Sequence, residues 1–235
     1  MRGSAARRMV NVSGRRRRGA APSGQRVLAM YARSTTFRAR LAAIDDGIAF
    51  LRDDVMPAAM AMSGCTGLSM MVDRRSGRCI ATTGWDTADH MRASAGLIDP
   101  MRDRAAAIMS AAPFVEEWEI ASVHRLHTSH DGACVRATWM WLEPAMVDHA
   151  VDTYRRVTLP AMENLEGFCS ASLFVDRQLG RAVSSVTYDT HAAMNNSRET
   201  ARTVRMDNAR DAHAQVLDVS EFDLALAHLR VPEMA

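Results

Sequence analysis

The sequence repeats itself at a fixed offset of 103 residues. Residues 64–87 align without a gap on residues 167–190, and about nine of the 24 aligned pairs are identical. The identical pairs include an Asp-Arg-x-x-Gly-Arg motif that begins at Asp73 and again at Asp176. A fixed period across both halves of a chain is the signature of a duplicated structural unit. The sequence therefore predicts two copies of one fold.

Both halves carry the same succession of predicted elements. Stretches rich in β-branched and aromatic residues, or alternating in polarity, predict strands, and apolar residues three and four apart predict a helix after the first strand. A second helix is expected to begin near Asp86-Thr87 and near Asp189-Thr190, where either side chain can cap it. The first predicted strand of each half lies at 31–38 and at 134–142. The strand after the first helix lies at 68–72 and at 171–175, and the last strand lies at 118–125 and at 222–229. The order is β-α-β-β-α-β in each half, which is the ferredoxin-like unit.

The Asp-Arg-x-x-Gly-Arg motif joins two predicted strands through a short loop. Asp suits the first position of such a turn, and Gly suits a position that needs positive φ. The motif therefore predicts a hairpin, with its arginines in solvent and anion binding as the alternative. These arginines are Arg74, Arg78, Arg177 and Arg181.

Charge is distributed unevenly along the chain. Residues 1–26 contain eight arginines and no acidic residue, so 21 of the 29 basic residues and all 27 acidic residues lie beyond them. The folded part is therefore mildly acidic, which argues against a nucleic-acid-binding domain. We predict a disordered tail at 1–27, where Arg15 to Arg18 leave contact with nucleic acid or a membrane surface open. Residues 28–126 and 132–230 are the predicted units, joined by a linker at 127–131.

Two further observations indicate the cellular compartment of the protein. No apolar run approaches the roughly 18 to 20 residues that span a bilayer. The four cysteines form no Cys-x-x-Cys pair and lie in apolar stretches, which is typical of reduced, buried thiols. We expect a cytoplasmic protein without a membrane partner.

Several short features resemble one known superfamily. Each half has about 100 residues, with Pro57 or Pro160 near the end of the first helix and a Gly before the second strand. The segments "GWDT" and "TYDT" open the second helices. These features resemble the antibiotic-biosynthesis-monooxygenase-like dimeric α+β barrel superfamily and its tandem bacterial proteins. The resemblance implies an α+β fold in which two tandem ferredoxin-like (βαββαβ) units form an intrachain dimeric α+β barrel.

The resemblance also implies a range of functions. Members include cofactor-independent oxygenases, haem-degrading oxygenases, isomerases and stress proteins. We expect a protein that binds a small aromatic or apolar molecule, with cofactor-independent monooxygenase-like activity as the enzymatic form. The alternative is a non-enzymatic barrel for stress-related binding or assembly, and homo-oligomers fit either function.

Candidate site residues follow from that expectation. His90 and His191 are the candidate catalytic bases, because an imidazole can deprotonate a substrate near neutral pH. Aromatic side chains are candidates for lining the pocket, with core packing as the competing interpretation, and a strand arginine can bind a carboxylate or phenolate. The candidate ligand-binding residues are Trp85, Tyr188, Trp118, Arg33 and Arg136.

We predict neither a cofactor nor a metal site. Haem degraders of the superfamily use an Asn on the first strand, a Trp, and a His ligand on the second helix. Both first strands lack the Asn, but Trp85 and His90 supply part of the set, so haem stays open as an alternative. His124, His127 and His130, with Asp131, form an H-x2-H-x2-H run whose imidazoles could hold a metal. The run lies in a segment typical of a flexible connector, and its spacing suits no regular element. His124 and His228 are expected on the strand faces of Trp118 and Phe222 as hydrogen-bonded core residues.

Overall fold

The computed structural model describes residues 29–229, 231–232 and 234 of the 235-residue chain. The predicted tail at 1–27 lies outside these residues. The first half contains β1 (Met30–Arg38), α1 (Ile44–Phe50), α2 (Met56–Met60), β2 (Cys65–Asp73), β3 (Arg78–Trp85), α3 (Ala88–Ala93), α4 (Ala95–Met109) and β4 (Phe114–Arg125). The second half contains β5 (Cys134–Trp141), α5 (Val147–Thr153), α6 (Leu159–Glu163), β6 (Phe168–Asp176), β7 (Arg181–Tyr188), α7 (His191–Asn196), α8 (Arg198–Asp211) and β8 (Gln215–Leu229). The predicted β-α-β-β-α-β order is confirmed in both halves.

The eight strands close into one antiparallel barrel in the order β1-β3-β2-β8-β5-β7-β6-β4. Within each half the order is that of a ferredoxin-like sheet. The halves meet where β2 pairs with β8 and where β4 pairs with β6. The last strand of each half therefore pairs with the second strand of the other half, and no strand edge of the barrel stays open.

The predicted turns and caps are present in both halves. Gly77 and Gly180 adopt φ of 75° and 62°, the left-handed conformation that the hairpin requires. The Thr87 hydroxyl accepts a hydrogen bond from the His90 backbone N–H at 3.1 Å. Thr190 caps α7 in the same way, at 3.1 Å from the Ala193 backbone N–H.

Each first helix contains one turn of π-helix, at Leu51–Val55 and at Tyr154–Thr158. Pro57 and Pro160 follow directly, and a proline has no N–H for the usual bond to the carbonyl four residues earlier. The wider turn takes up this interruption at the same place in both halves. Its first and last residues are buried against the sheet.

The hairpin arginines do not all lie in solvent, so that prediction was wrong for Arg78. Its side chain is 18% exposed, and its Nη1 lies 2.6 Å from Asp218 Oδ2 on β8. Its guanidinium also stacks 4.0 Å from the ring centroid of Trp139. Asp218 and Trp139 belong to the second half, so Arg78 joins the two halves.

The second hairpin makes the reciprocal contacts. Arg181 lies 2.6 Å from Glu116 on β4 and stacks 5.1 Å from the ring of Trp118. Arg177 forms a two-nitrogen pair with Glu119, also on β4, at 2.7 and 2.8 Å. The repeated motif is therefore a hairpin and also a contact between the halves, since each copy pairs with the last strand of the other half.

The prediction that His124 lies on the same strand face as Trp118 was wrong. The register of β4 against β6 shifts between Ile120 and Ser122, and such a bulge moves later side chains to the opposite face. His124 contacts Glu163 of α6 and stacks on Phe168, with ring centroids 6.2 Å apart. It therefore lies on the helix side of the sheet and not beside Trp118.

Candidate functional site

The barrel interior encloses a cavity of about 160 Å³. Hydroxyl side chains from equivalent positions of the two halves line it, among them Ser69 with Ser172 and Thr82 with Ser185. Arg125 is the charged residue of this lining among the described residues. None of the predicted site residues lines this cavity.

Two smaller cavities lie between the sheet and the helices, one in each half. They measure about 40 Å³ in the first half and about 20 Å³ in the second half. Ten lining positions of the first cavity correspond to lining positions of the second at the 103-residue offset. Their chemistry can therefore be compared position by position.

The second cavity is the more polar of the two. At four equivalent positions an apolar side chain of the first half is replaced by one that carries a hydrogen-bonding group. These replacements are Leu51 by Tyr154, Val55 by Thr158, Ala81 by Ser184 and Ala105 by Asn208. Burying polar groups costs free energy unless they find partners. One equivalent position changes in the opposite direction, from Thr83 to Val186.

Several polar atoms of the second cavity lack strong partners. Thr158 Oγ1 and Asn208 Oδ1 are buried and accept or donate no hydrogen bond within the described residues. The Tyr154 hydroxyl makes only long contacts, at 3.4 Å to the Ser172 carbonyl and 3.4 Å to Ser184 Oγ. Burial raises the pKa of Tyr154 to about 12, so its hydroxyl keeps its proton. These groups can bind the polar end of a ligand.

A cleft of about 460 Å³ adjoins the second cavity, and Arg136 and Arg205 line both. Arg202 and Arg198 add two more guanidinium groups to the cleft, which Asp73, Glu199 and Glu221 also line. In the first half the position of Arg202 is held by Asp99, which pairs with Arg102 at 2.9 Å. Arg102 of the first half is therefore neutralised by a carboxylate, whereas Arg205 of the second half has the cation Arg202 at the position of that carboxylate.

Arg205 is the central cation of this cleft. Burial lowers its pKa, and the nearby charges of Arg136 and Arg202 lower it further. Among the described residues it forms no hydrogen bond or ion pair. A half-buried arginine that faces two other arginines attracts an anion. The cleft can therefore hold a carboxylate, a phenolate or a similar acidic group.

Arg136 and Arg33 occupy equivalent buried positions. Arg136 donates to Glu221 Oε1 at 3.0 and 2.9 Å and to the Met194 carbonyl at 2.7 Å. Arg136 also lies 3.4 Å from the Tyr188 hydroxyl. Burial opposes ionisation of Glu221, but Arg136 and Arg198 outweigh this effect and lower its pKa.

Arg33 does not line the arginine-rich cleft that adjoins Arg136. Its Nε and Nη2 donate to Glu117 at 3.1 and 2.8 Å, and its Nη1 donates to Ser94 at 3.1 Å. All three nitrogens therefore have protein partners. Of the predicted residues, the structure brings Arg136 and Tyr188 together at the polar cavity.

The other predicted residues lie elsewhere. Trp85 is fully buried on the helix side of β3, and its N–H donates to Thr83 Oγ1 at 3.0 Å. Trp118 packs on the opposite side of the sheet, inside the barrel, where its N–H donates to Ser34 at 2.9 Å. His90 and His191 line neither helix–sheet cavity. Their imidazoles lie 2.6 Å from Asp86 and 2.7 Å from Asp223.

Sequence reasoning missed Tyr154, Thr158, Arg202, Arg205 and Asn208. The signal was available in the repeat, because each of them except Arg205 replaces a residue of different polarity or charge 103 positions earlier. Their convergence on one cavity required the structure.

The helix–sheet cavities do not fit haem. Their free volumes of about 40 and 20 Å³ are far below what a porphyrin needs. Both first strands lack an Asn, and each carries a buried arginine that is bound to a glutamate. The imidazoles of α3 and α7 are bound to carboxylates outside the cavities.

No helix within the described residues has the length and apolar character required to cross a membrane. No protein-family model matches the chain.

Solved structures with the same fold include several related barrels. A candidate monooxygenase from Lactobacillus acidophilus matches with a TM-score of 0.62 and 10% identity, over 86% of this chain and 97% of that chain. An anthrone oxidase-like protein matches with a TM-score of 0.58 and 10% identity, over 84% and 91% of the two chains. At these identities the likeness establishes the fold alone, which is the dimeric α+β barrel of two ferredoxin-like units.

Sequence relatives are much closer. The uncharacterised protein Rv2557 of Mycobacterium tuberculosis is 53% identical over 205 residues, which cover 87% of this chain and 92% of that protein. The uncharacterised protein Rv2558 of the same organism is 51% identical over 217 residues, which cover 92% of each protein. The chain therefore belongs to the family of these mycobacterial proteins, tandem members of the dimeric α+β barrel fold.

Proposed function

We propose that this protein binds a small anionic molecule with an aromatic or apolar body at the cleft and cavity of its second half. The acidic group lies between Arg202 and Arg205. The body of the molecule lies in the cleft of about 460 Å³, because the adjoining cavity of about 20 Å³ holds only a water-sized group. The single observation that carries the proposal is Arg205, a half-buried cation that faces other cations and has no anionic partner within ion-pair distance among the described residues.

The comparison of the halves supports this assignment. Selection for packing alone would retain an apolar cavity wall and the Asp99–Arg102 pair of the first half. The second half instead has hydrogen-bonding groups at four equivalent positions, three of them buried and one, Ser184, half-buried, together with one charge reversal. These changes cost stability, and stability is commonly lost where residues serve binding or catalysis.

The ligand must arrive as an anion. The described residues that line the second cavity include no histidine and no carboxylate, so the cavity offers donors and no base. Arg205 and the neutral Tyr154 hydroxyl stabilise negative charge on a bound molecule. A carboxylic acid or an acidic phenol meets this requirement at neutral pH.

The enzymatic form of this function is cofactor-independent oxidation. An electron-rich substrate anion held beside donors can transfer electrons to dioxygen; a quinol, for example, gives a quinone and hydrogen peroxide. Because the described lining includes no histidine and no carboxylate, it favours this chemistry over acid–base chemistry by the cavity itself. His90 and His191 remain candidate bases only for a substrate that reaches outside the cavity.

Binding is tested by calorimetric titration with 1-naphthoate and with its neutral isostere 1-naphthamide. We expect naphthoate to bind the wild type and to bind Arg205→Gln about 10- to 100-fold more weakly, as for loss of one charged hydrogen bond. The matched control is Arg102→Gln, the equivalent change in the first half, which should leave the affinity unchanged. Equal effects of the two substitutions, or equal affinity for the neutral amide, would refute the site.

Oxidation is tested by oxygen uptake with a quinol that carries a carboxylate, 1,4-dihydroxy-2-naphthoate. We expect the wild type to exceed the protein-free rate and Arg205→Gln to return to it. If naphthoate binds but the quinol causes no oxygen uptake, the protein binds its ligand without oxidising it.

A further inference from the structure

The connector between the halves is held against the second half by backbone hydrogen bonds. The Leu126 N–H donates to the Cys169 carbonyl at 2.9 Å, and the Ala133 N–H donates to the His130 carbonyl at 3.1 Å. At the far end of β7, the Asp189 N–H donates to the Gly167 carbonyl at 2.8 Å. The connector is therefore anchored beside the start of β6, in contrast to the flexible segment that its composition indicated.

Metal-binding side chains converge at this place. His127 Nε2, Cys169 Sγ and a carboxylate oxygen of Asp189 all lie within 4.8 Å of one another. His127 Nε2 lies 3.6 Å from Asp189 Oδ2, and His130 Nε2 lies 3.4 Å from Asp189 Oδ1. These separations are long for hydrogen bonds. They match the spacing of about 3.3 to 3.8 Å between ligands on a tetrahedral zinc ion, which follows from its bond lengths.

The orientation of the imidazoles favours a cation between them and the carboxylate. His127 Nδ1 lies 3.2 Å from the Thr128 carbonyl, and His130 Nδ1 lies 2.8 Å from the Asp131 carbonyl. A carbonyl only accepts, so Nδ1 carries the proton in both rings. A neutral ring then has its lone pair on Nε2, and both Nε2 atoms face the Asp189 carboxylate. Backbone contacts of this kind are the usual way in which proteins orient histidine ligands.

The remaining two groups also lack a counter-charge. Asp189 Oδ1 is buried without a hydrogen-bond partner. Cys169 is buried, and its Sγ lies 3.3 Å from the His127 carbonyl oxygen, which carries no charge. A bound divalent cation would satisfy the carboxylate oxygen and stabilise the thiolate.

We propose that His127, Cys169 and Asp189 bind one Zn²⁺ ion and that His130, beside Asp189 Oδ1, moves to supply the fourth ligand. Nitrogen, sulfur and oxygen ligands in a four-coordinate site are the set that zinc prefers. Binding replaces the thiol proton of Cys169, so one proton leaves as the sulfur–zinc bond forms. The ion would join the connector to β6 and to the end of β7.

The site is specific to the second half. Thr66 stands at the position equivalent to Cys169, and Asp86 pairs with His90 on its own helix. His124, the first histidine of the run, contacts Glu163 on the helix side of the sheet. Zinc binding is therefore independent of the anion cleft and of any oxidation there.

The test uses the full-length, tag-free protein after removal of metal with a chelator. Cobalt(II) serves as the probe, because a thiolate ligand gives it a near-ultraviolet charge-transfer band and tetrahedral coordination gives it intense visible bands. We expect one equivalent of cobalt to produce both signals and zinc to displace it. Cys169→Ser should abolish the charge-transfer band, whereas the matched control Cys65→Ser should retain it.

An exposed ligand gives a second variant that does not disturb the core. His127→Ala should weaken zinc binding by about 100-fold or more, because even outer contacts of metal ligands contribute 10- to 100-fold. A zinc affinity that neither substitution changes would overturn the proposal. Nitrogen chemical shifts report the protonation of the two imidazole rings. If both rings are doubly protonated at neutral pH and do not respond to zinc, the proposal is overturned and the cluster consists of ion pairs.

Discussion

Replacement of Arg78 by alanine tests whether the repeated hairpin motif holds the two halves together. The substitution removes the stacking of the guanidinium on Trp139 at 4.0 Å and the contact with Asp218 at 2.6 Å. A partly buried cation–π contact contributes about 1 to 2 kcal/mol. The ion pair adds about 0.5 kcal/mol, because Asp218 is half exposed and regains water. Lost packing of the aliphatic stem adds about 1 kcal/mol.

The expected loss is therefore about 2.5 to 3.5 kcal/mol in the free energy of unfolding. In a domain of this size it corresponds to a fall of about 5 to 14 °C in Tm. Urea denaturation followed by circular dichroism measures the first quantity, and a thermal scan measures the second. The matched control is Arg75→Ala in the same hairpin, whose side chain is 89% exposed and lies 3.8 Å from Asp73. The control should change stability by less than about 0.5 kcal/mol. Equal effects of Arg78→Ala and Arg75→Ala would refute the role assigned to the motif.

Three further predictions concern the second half and its turns. Because burial raises the pKa of Tyr154 from 10 to about 12, the folded protein holds a proton that the unfolded chain loses above pH 10. Stability should therefore fall as pH rises from 10 to 12, by about 1.4 kcal/mol at pH 11, and urea titrations should show that Tyr154→Phe lacks this part of the loss. Arg202→Asp recreates the charge pair of the first half, so it should raise stability by about 0.5 kcal/mol in the same assay while it abolishes naphthoate binding. Gly180→Ala should cost more than about 2 kcal/mol, because its φ is +62° and the new Cβ would lie 1.9 Å from the Leu142 carbonyl oxygen. Gly132→Ala, also at positive φ but with no atom within 4 Å of its Cβ, should cost only about 1 kcal/mol.

The fold could be predicted from the sequence because its determinants are local and occur twice. The turn at Asp73 to Gly77, the cap at Thr87 and the alternation of β2 are each readable within a few residues, and the repeat confirms them. The strand face of His124 could not be predicted. The bulge between Ile120 and Ser122 depends on pairing with β6, which lies in the other half.

The candidate site could be predicted only in part. Arg136 and Tyr188 follow from the strand pattern, and the structure places both at the polar cavity. Arg205 was missed because its significance lies in the absence of a neighbouring carboxylate, which only the arrangement of α8 over the sheet reveals. The partner of Arg78 was missed for a similar reason, since Asp218 lies 140 residues away in the chain.

A crystal of the protein soaked with 4-iodobenzoate tests most directly whether the second half has become the binding half. Anomalous scattering from the iodine locates the ligand without prior assumptions. The account predicts one principal iodine peak in the second half, with the carboxylate between Arg202 and Arg205. A peak beside Arg102 in the first half, or equal occupancy of the two halves, would contradict it.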